Sequence, residues 1–106
     1  MSANQLTKSI VRFLNYNGFQ AWNVYNGAVY DRNKNIYRKN PTRKNGVFDI
    51  CGFRESDGRH LEIEVKFGRD KMSAEQSRHL EELKKAGALC YVSKDLDGFF
   101  KWFESL

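Results

Sequence analysis

The stretch from Val47 to Phe67 constrains the fold more than any other part of this chain. Val47–Phe53 is an apolar run broken by one charge, Asp49. Glu55-Ser56-Asp57-Gly58 follows, and Asp-Gly is a strong hairpin signal. Arg59–Phe67 then alternates: Leu61, Ile63 and Val65 fall on one side, and His60, Glu62, Glu64 and Lys66 on the other. Two antiparallel strands account for all three features. With Ser56-Asp57 central in the turn, Asp49 opposes Glu64; with Asp57-Gly58 central, it opposes Lys66. Either register brings Asp49, Glu64 and Lys66 to one face, because opposed residues and alternate residues share a face. A three-residue loop without a compensating bulge would split them.

Helices bracket this hairpin. Ser2-Ala3-Asn4-Gln5 reads as a capping box, and Leu6, Ile10, Phe13 and Leu14 then share one helical face. Gly18 is a natural stop, so the first helix spans roughly Ala3–Asn17. A second capping box, Ser73-Ala74-Glu75-Gln76, opens a helix reaching about Ala86, with Leu80 and Leu83 facing inward and Gly87 ending it. Leu96, Phe99, Phe100 and Phe103 mark a C-terminal helix. Between these, Phe19–Tyr25 and Ala88–Val92 read as strands, the latter parallel to Arg59–Phe67 because a helix separates them. Asn26-Gly27 breaks the first of these strands. Ala28–Tyr30 and Ile36–Arg38 suggest a second hairpin, and Lys39–Gly46, with the only proline, a loop. The expectation is an α/β fold with a mixed sheet of about four strands flanked by helices, in the order αβββαβα, as one domain over residues 1–106.

Two carboxylates on neighbouring strands suit a hard, oxygen-seeking cation such as Mg2+. A lysine two residues after the second carboxylate points at the same place. The plain alternative is a cross-strand salt bridge. Against it stands the position of Asp49 inside an apolar run, where an unpaired carboxylate is costly. Glu62 reads as a solvated residue or one supporting the site from behind. His60 and His79 are not spaced as a metal pair and read as surface or core-edge residues, with His79 a minor candidate for the site because it follows Gln76 by three positions on the second helix, and Cys51 and Cys90 as buried thiols.

The segments Gly46-Val47-Phe48-Asp49-Ile50, Gly58–Lys66 and Ser73-Ala74-Glu75-Gln76 resemble the PD-(D/E)XK nuclease superfamily, and within it the VRR-NUC family. The proline of the superfamily's name is replaced here by Phe48. The resemblance implies a restriction-endonuclease-like core and a metal-dependent phosphodiesterase using Mg2+ or Mn2+. Asp49, Glu64 and the Val65 carbonyl match its metal ligands, Lys66 its catalytic lysine, and Gln76 its helix glutamine. Members often carry a glutamate on the first helix, where this chain offers only Asn4 and Gln5. Stand-alone members of this size resemble dimeric Holliday-junction resolvases, frequently phage-encoded, which implies branched DNA as substrate and a homodimer.

Charge supports a polyanionic partner. The 106-residue chain carries a net +5. Between Asp31 and Gly46 lie Arg32, Lys34, Arg38, Lys39, Arg43 and Lys44 against a single acid, and Arg69 and Lys71 follow Lys66. Such a run gives phosphate contacts without sequence preference. No phosphate-cradling Gly-Lys-Ser/Thr loop argues for a nucleotide cofactor. Sparse cysteine and the lack of an apolar leader or membrane-length stretch lead to the expectation of a cytoplasmic protein. The rival readings are a DNA-binding module on the same fold that does not cut, and a small interaction domain with ordinary salt bridges.

Overall fold

The computed structural model describes residues 1–24, 29–38 and 44–106. Helix α1 (Ala3–Tyr16) begins with the capping box read from sequence: the Ser2 side chain accepts from the Gln5 N–H, and the Gln5 side chain accepts from the Ser2 N–H. Strand β1 (Phe19–Asn23) is followed by the short pair β2 (Val29–Asp31) and β3 (Ile36–Arg38), an antiparallel sheet of its own. Then come β4 (Ile50–Arg54), β5 (His60–Val65), α2 (Ala74–Lys85), β6 (Leu89–Ser93) and α3 (Leu96–Glu104).

The main sheet has the order β1-β4-β5-β6. The first two pairings are antiparallel and β5–β6 is parallel, as the intervening helix requires. Setting aside the β2–β3 hairpin, the order is αβββαβα, as expected. Leu6, Ile10 and Leu14 of α1 and Phe99 of α3 pack with Ile50, Leu61, Ile63 and Val65, all buried. Helix α2 covers the opposite face, where His79 and Gln76 reach Glu62 and Glu64. Both faces of β5 are therefore closed, and every residue from Leu61 to Val65 is buried.

The register is the first of the two anticipated. Ile50 pairs with Ile63, Cys51 with Glu62 and Phe53 with His60, so the pattern carries Asp49 to Glu64. The turn is nevertheless longer than two residues: Arg54 N–H donates to the Arg59 carbonyl, enclosing Glu55–Gly58. Strand β4 also begins three residues later than the apolar run predicts. β1 ends at Asn23, and Tyr25 lies outside the described residues.

Two glycines bring backbones together. At Gly52 a Cβ would stand 2.1 Å from the Gln20 carbonyl oxygen, so β4 and β1 tolerate no side chain there. Gly46 has φ +82°, and a Cβ on it would stand 2.5 Å from the Glu75 carbonyl oxygen. Gly46 thus seats the segment leading to Asp49 directly on the first turn of α2.

Candidate active site

The site lies where β4 and β5 part. The backbone ladder ends at Ile50–Ile63, and side chains take over its bonding beyond that pair. Asp49 N–H donates to Glu64 Oε1 at 2.9 Å, and Val65 N–H donates to Asp49 Oδ2 at 3.0 Å. Each carboxylate thus takes a backbone proton from the opposite strand. On its other side Asp49 is tied to the end of β1, its carbonyl accepting from Val24 N–H at 2.7 Å.

Glu64 is the buried centre of this group, only 2% exposed. Its Oε2 accepts from Lys66 Nζ at 3.0 Å and from Gln76 Nε2 at 2.6 Å. Burial pushes its carboxyl above the usual range. The Lys66 hydrogen bond opposes this, and the nearby Asp49 charge adds to it. Two carboxylates against one ammonium leave the group one positive charge short. A divalent cation would outweigh that deficit and finds hard oxygen donors on both strands, which is the sense in which this donor set fits one. Lys66 is itself anchored at the backbone, where its N–H donates to the Ser93 carbonyl at the end of β6.

Gln76 serves two ends at once. Its Oε1 accepts from Ser73 N–H, completing the helix cap, while its Nε2 holds Glu64. Asp49, Glu64, Lys66 and Gln76, anticipated from three separate segments of the chain, are thus joined by direct or one-step hydrogen bonds. The Val65 carbonyl lies on the same side of β5 as the Val65 N–H, because both groups of an extended residue point the same way. That side is the one facing Asp49.

The structure decides one expectation behind the site and corrects another. Of the two readings of Glu62, solvated or supporting the site from behind, the solvated one fails: it is 5% exposed and accepts from Phe48 N–H at 3.4 Å. His79 is not a surface or core-edge residue: it is 6% exposed, with Nε2 at 2.7 Å from Glu62 Oε1. His60 is the exposed one, its Nε2 2.7 Å from Glu62 Oε2. The ring of His79 meets that of Phe48 edge-on at 5.4 Å. Phe48, standing where the superfamily's name has proline, is wholly buried and so locks the residue before Asp49 against α2. The available signal for His79 was its spacing three positions after Gln76, which puts both on one helix face. Cys51 and Cys90 are half-buried rather than buried, and neither is in a disulfide.

Of the basic residues, Arg32 and Lys34 are exposed in the β2–β3 turn, and Lys44, Arg69 and Lys71 are exposed on either side of the site in the chain. Arg38 closes β3. Lys39 and Arg43 lie outside the described residues. Asn4 is exposed, and Gln5 is engaged in the α1 cap, whose first turn holds no acidic residue.

A four-stranded mixed sheet in this order, with helices on both faces, is the restriction-endonuclease-like fold. More narrowly, the chain belongs to the VRR-NUC domain family, whose model matches residues 4–94. That membership makes it a nuclease-type, DNA-binding domain. No curated protein matches it significantly.

Proposed function

We propose that the protein is a magnesium- or manganese-dependent endonuclease that hydrolyses DNA phosphodiester bonds and prefers branched, Holliday-junction-like substrates, acting as a homodimer. The observation that carries this reading is the reciprocal bonding of Asp49 and Glu64 across two strands, with Lys66 3.0 Å from Glu64. Asp49, Glu64 and the Val65 carbonyl would hold the ion. A divalent ion so placed polarises a phosphate and lowers the pKa of bound water. Lys66, 3.0 Å from Glu64, would orient the attacking water and offset charge building on the phosphate oxygens. Gln76 keeps Glu64 turned toward Asp49. Arg32, Lys34, Arg38, Lys39, Arg43, Lys44, Arg69 and Lys71 would neutralise the DNA backbone on either side.

The test is incubation of supercoiled plasmid and of linear, flapped and four-way DNA with the protein, with and without Mg2+. The expected result is metal-dependent cleavage, fastest on the four-way substrate, and about 10²–10³-fold slower in Lys66→Ala. Cleavage that survives Lys66→Ala overturns the assignment of roles. One observation favours a second reading, a binding module that does not cut: the first turn of α1 holds no acidic residue where the family often supplies a glutamate. Tight DNA binding without cleavage in either metal would select it. The homodimer is supported by family resemblance and by Trp22, half exposed on edge strand β1. Light scattering at working concentration checks it, and a monomer rejects it.

A further inference from the structure

A second group of ligand-bearing side chains lies on the α2 face of the sheet, two residues along β5 from Glu64. Cys51 on β4 stands directly opposite Glu62 on β5, and His60 is the next residue on the same face of β5. One ligand atom from each of Cys51, His60 and Glu62 lies within 4.8 Å of the other two. In a tetrahedral site with bonds of about 2.0–2.3 Å, neighbouring ligands stand roughly 3.3–3.8 Å apart. The widest pair therefore needs to close by about 1 Å while His60 Nε2 and Glu62 Oε2, 2.7 Å apart, open by roughly 0.6 Å, and exposed His60 has the freedom to shift.

Its chemistry differs from that of the Asp49–Glu64 pair. A thiolate and an imidazole beside one carboxylate select Zn2+-like ions over Mg2+. The carboxylate is also held from behind. Glu62 Oε1 is bonded to buried His79 and to Phe48 N–H, while Oε2 faces His60. Outer hydrogen bonds of this kind orient a ligating carboxylate before the ion arrives. Exposed His60 gives an ion a path from solvent, and three protein ligands leave a fourth position for water.

We infer that Cys51, His60 and Glu62 form a binding site for a thiophilic divalent transition ion, separate from the Asp49–Glu64 site. On binding, the Cys51 thiol releases its proton to solvent and the sulfur joins the metal.

Co2+ is the probe, because a thiolate ligand gives it a near-ultraviolet charge-transfer band that carboxylate ligands do not. The full chain is titrated with Co2+ in excess Mg2+. The expected result is one equivalent bound with that band, displaced by Zn2+. Cys51→Ser should abolish the band, and His60→Ala should weaken binding by about tenfold or more. Asp49→Asn and Cys90→Ser should leave both unchanged. Absence of the band in the wild-type protein overturns the proposal, as does its survival in Cys51→Ser or its loss in Cys90→Ser. His60→Ala alters only an exposed side chain, so it remains decisive if Cys51→Ser does not fold: undiminished binding there also overturns the site. Nuclease activity enters none of these readouts, so the proposal stands or falls apart from the assigned function.

Discussion

Glu64 sits in a position that costs stability. Its carboxyl is raised by burial and by Asp49, so the folded protein binds that proton more tightly than the unfolded chain does. The cost of holding it ionised is fully present above its folded pKa and disappears as pH falls toward the ordinary value of 4.5. Asp57 behaves in the opposite sense. The Arg54 hydrogen bond, helped by Arg59 N–H, holds it down to about 2, so its contribution is complete above 3.8 and lost as pH falls from there toward 2. Asp49→Asn removes the charge facing Glu64 while keeping an oxygen to accept from Val65 N–H. The expected outcome is loss of DNA cleavage with a thermal midpoint, in metal-free buffer at neutral pH, equal to wild type or about 2–6 °C higher. A clearly lower midpoint would show that Asp49 is structural. The wild-type midpoint should also approach that of Asp49→Asn as pH is lowered toward 4.5, which calorimetry across pH measures.

The elements place these residues, and their contacts divide into capping and positioning roles. Gln76 holds both the start of α2 and Glu64, so two substitutions separate the roles. Gln76→Ala should lower stability by about 1 kcal/mol through the lost cap and reduce cleavage about 10–100-fold. Gln76→Glu keeps a cap acceptor but sets a carboxylate against Glu64, so cleavage should fall as far or further while the cap survives. Denaturant unfolding and initial cleavage rates read the two effects apart. Gly46 joins the loop before Asp49 to α2 through close backbone approach. Gly46→Ala should cost about 2–4 kcal/mol, combining positive-φ strain with displacement of the helix backbone. Gly87→Ala is the control: it also has positive φ, but a Cβ there meets nothing within 4 Å, so about 1 kcal/mol is expected. Equal destabilisation of the two variants would mean that the Gly46–Glu75 approach is unimportant.

At the scale of the whole molecule the net charge of +5 governs encounter with DNA. Binding to Asp49→Asn, which on the proposed roles does not cut, should weaken linearly in log K against log salt. Replacing Arg69 and Lys71 by glutamine should reduce that slope by about 0.9 for each phosphate no longer neutralised, with little change between DNA sequences. An unchanged slope would move the DNA track away from the segment between β5 and α2.

Much of this was written in local order. Capping boxes at Ser2 and Ser73, the turn at Glu55–Gly58, the alternation along β5 and the apolar stripes of α1 and α3 are short-range patterns, set by hydrogen bonding and periodicity within a few residues. They determine the elements, and with the Asp49…Glu64-x-Lys66 spacing they determine which acids share a face. Tertiary structure decided what lies behind that face. Only the packing of α2 on the sheet buries Glu62 and His79 together, gives Phe48 its place against that ring, and turns Gln76 from a cap into a partner of Glu64. The choice between two hairpin registers, and with it the meeting of Cys51, His60 and Glu62, was also left open by the sequence pattern and is seen only in the folded pairing of β4 with β5. These interactions join positions far apart in the chain, and their energies depend on burial that no local pattern encodes.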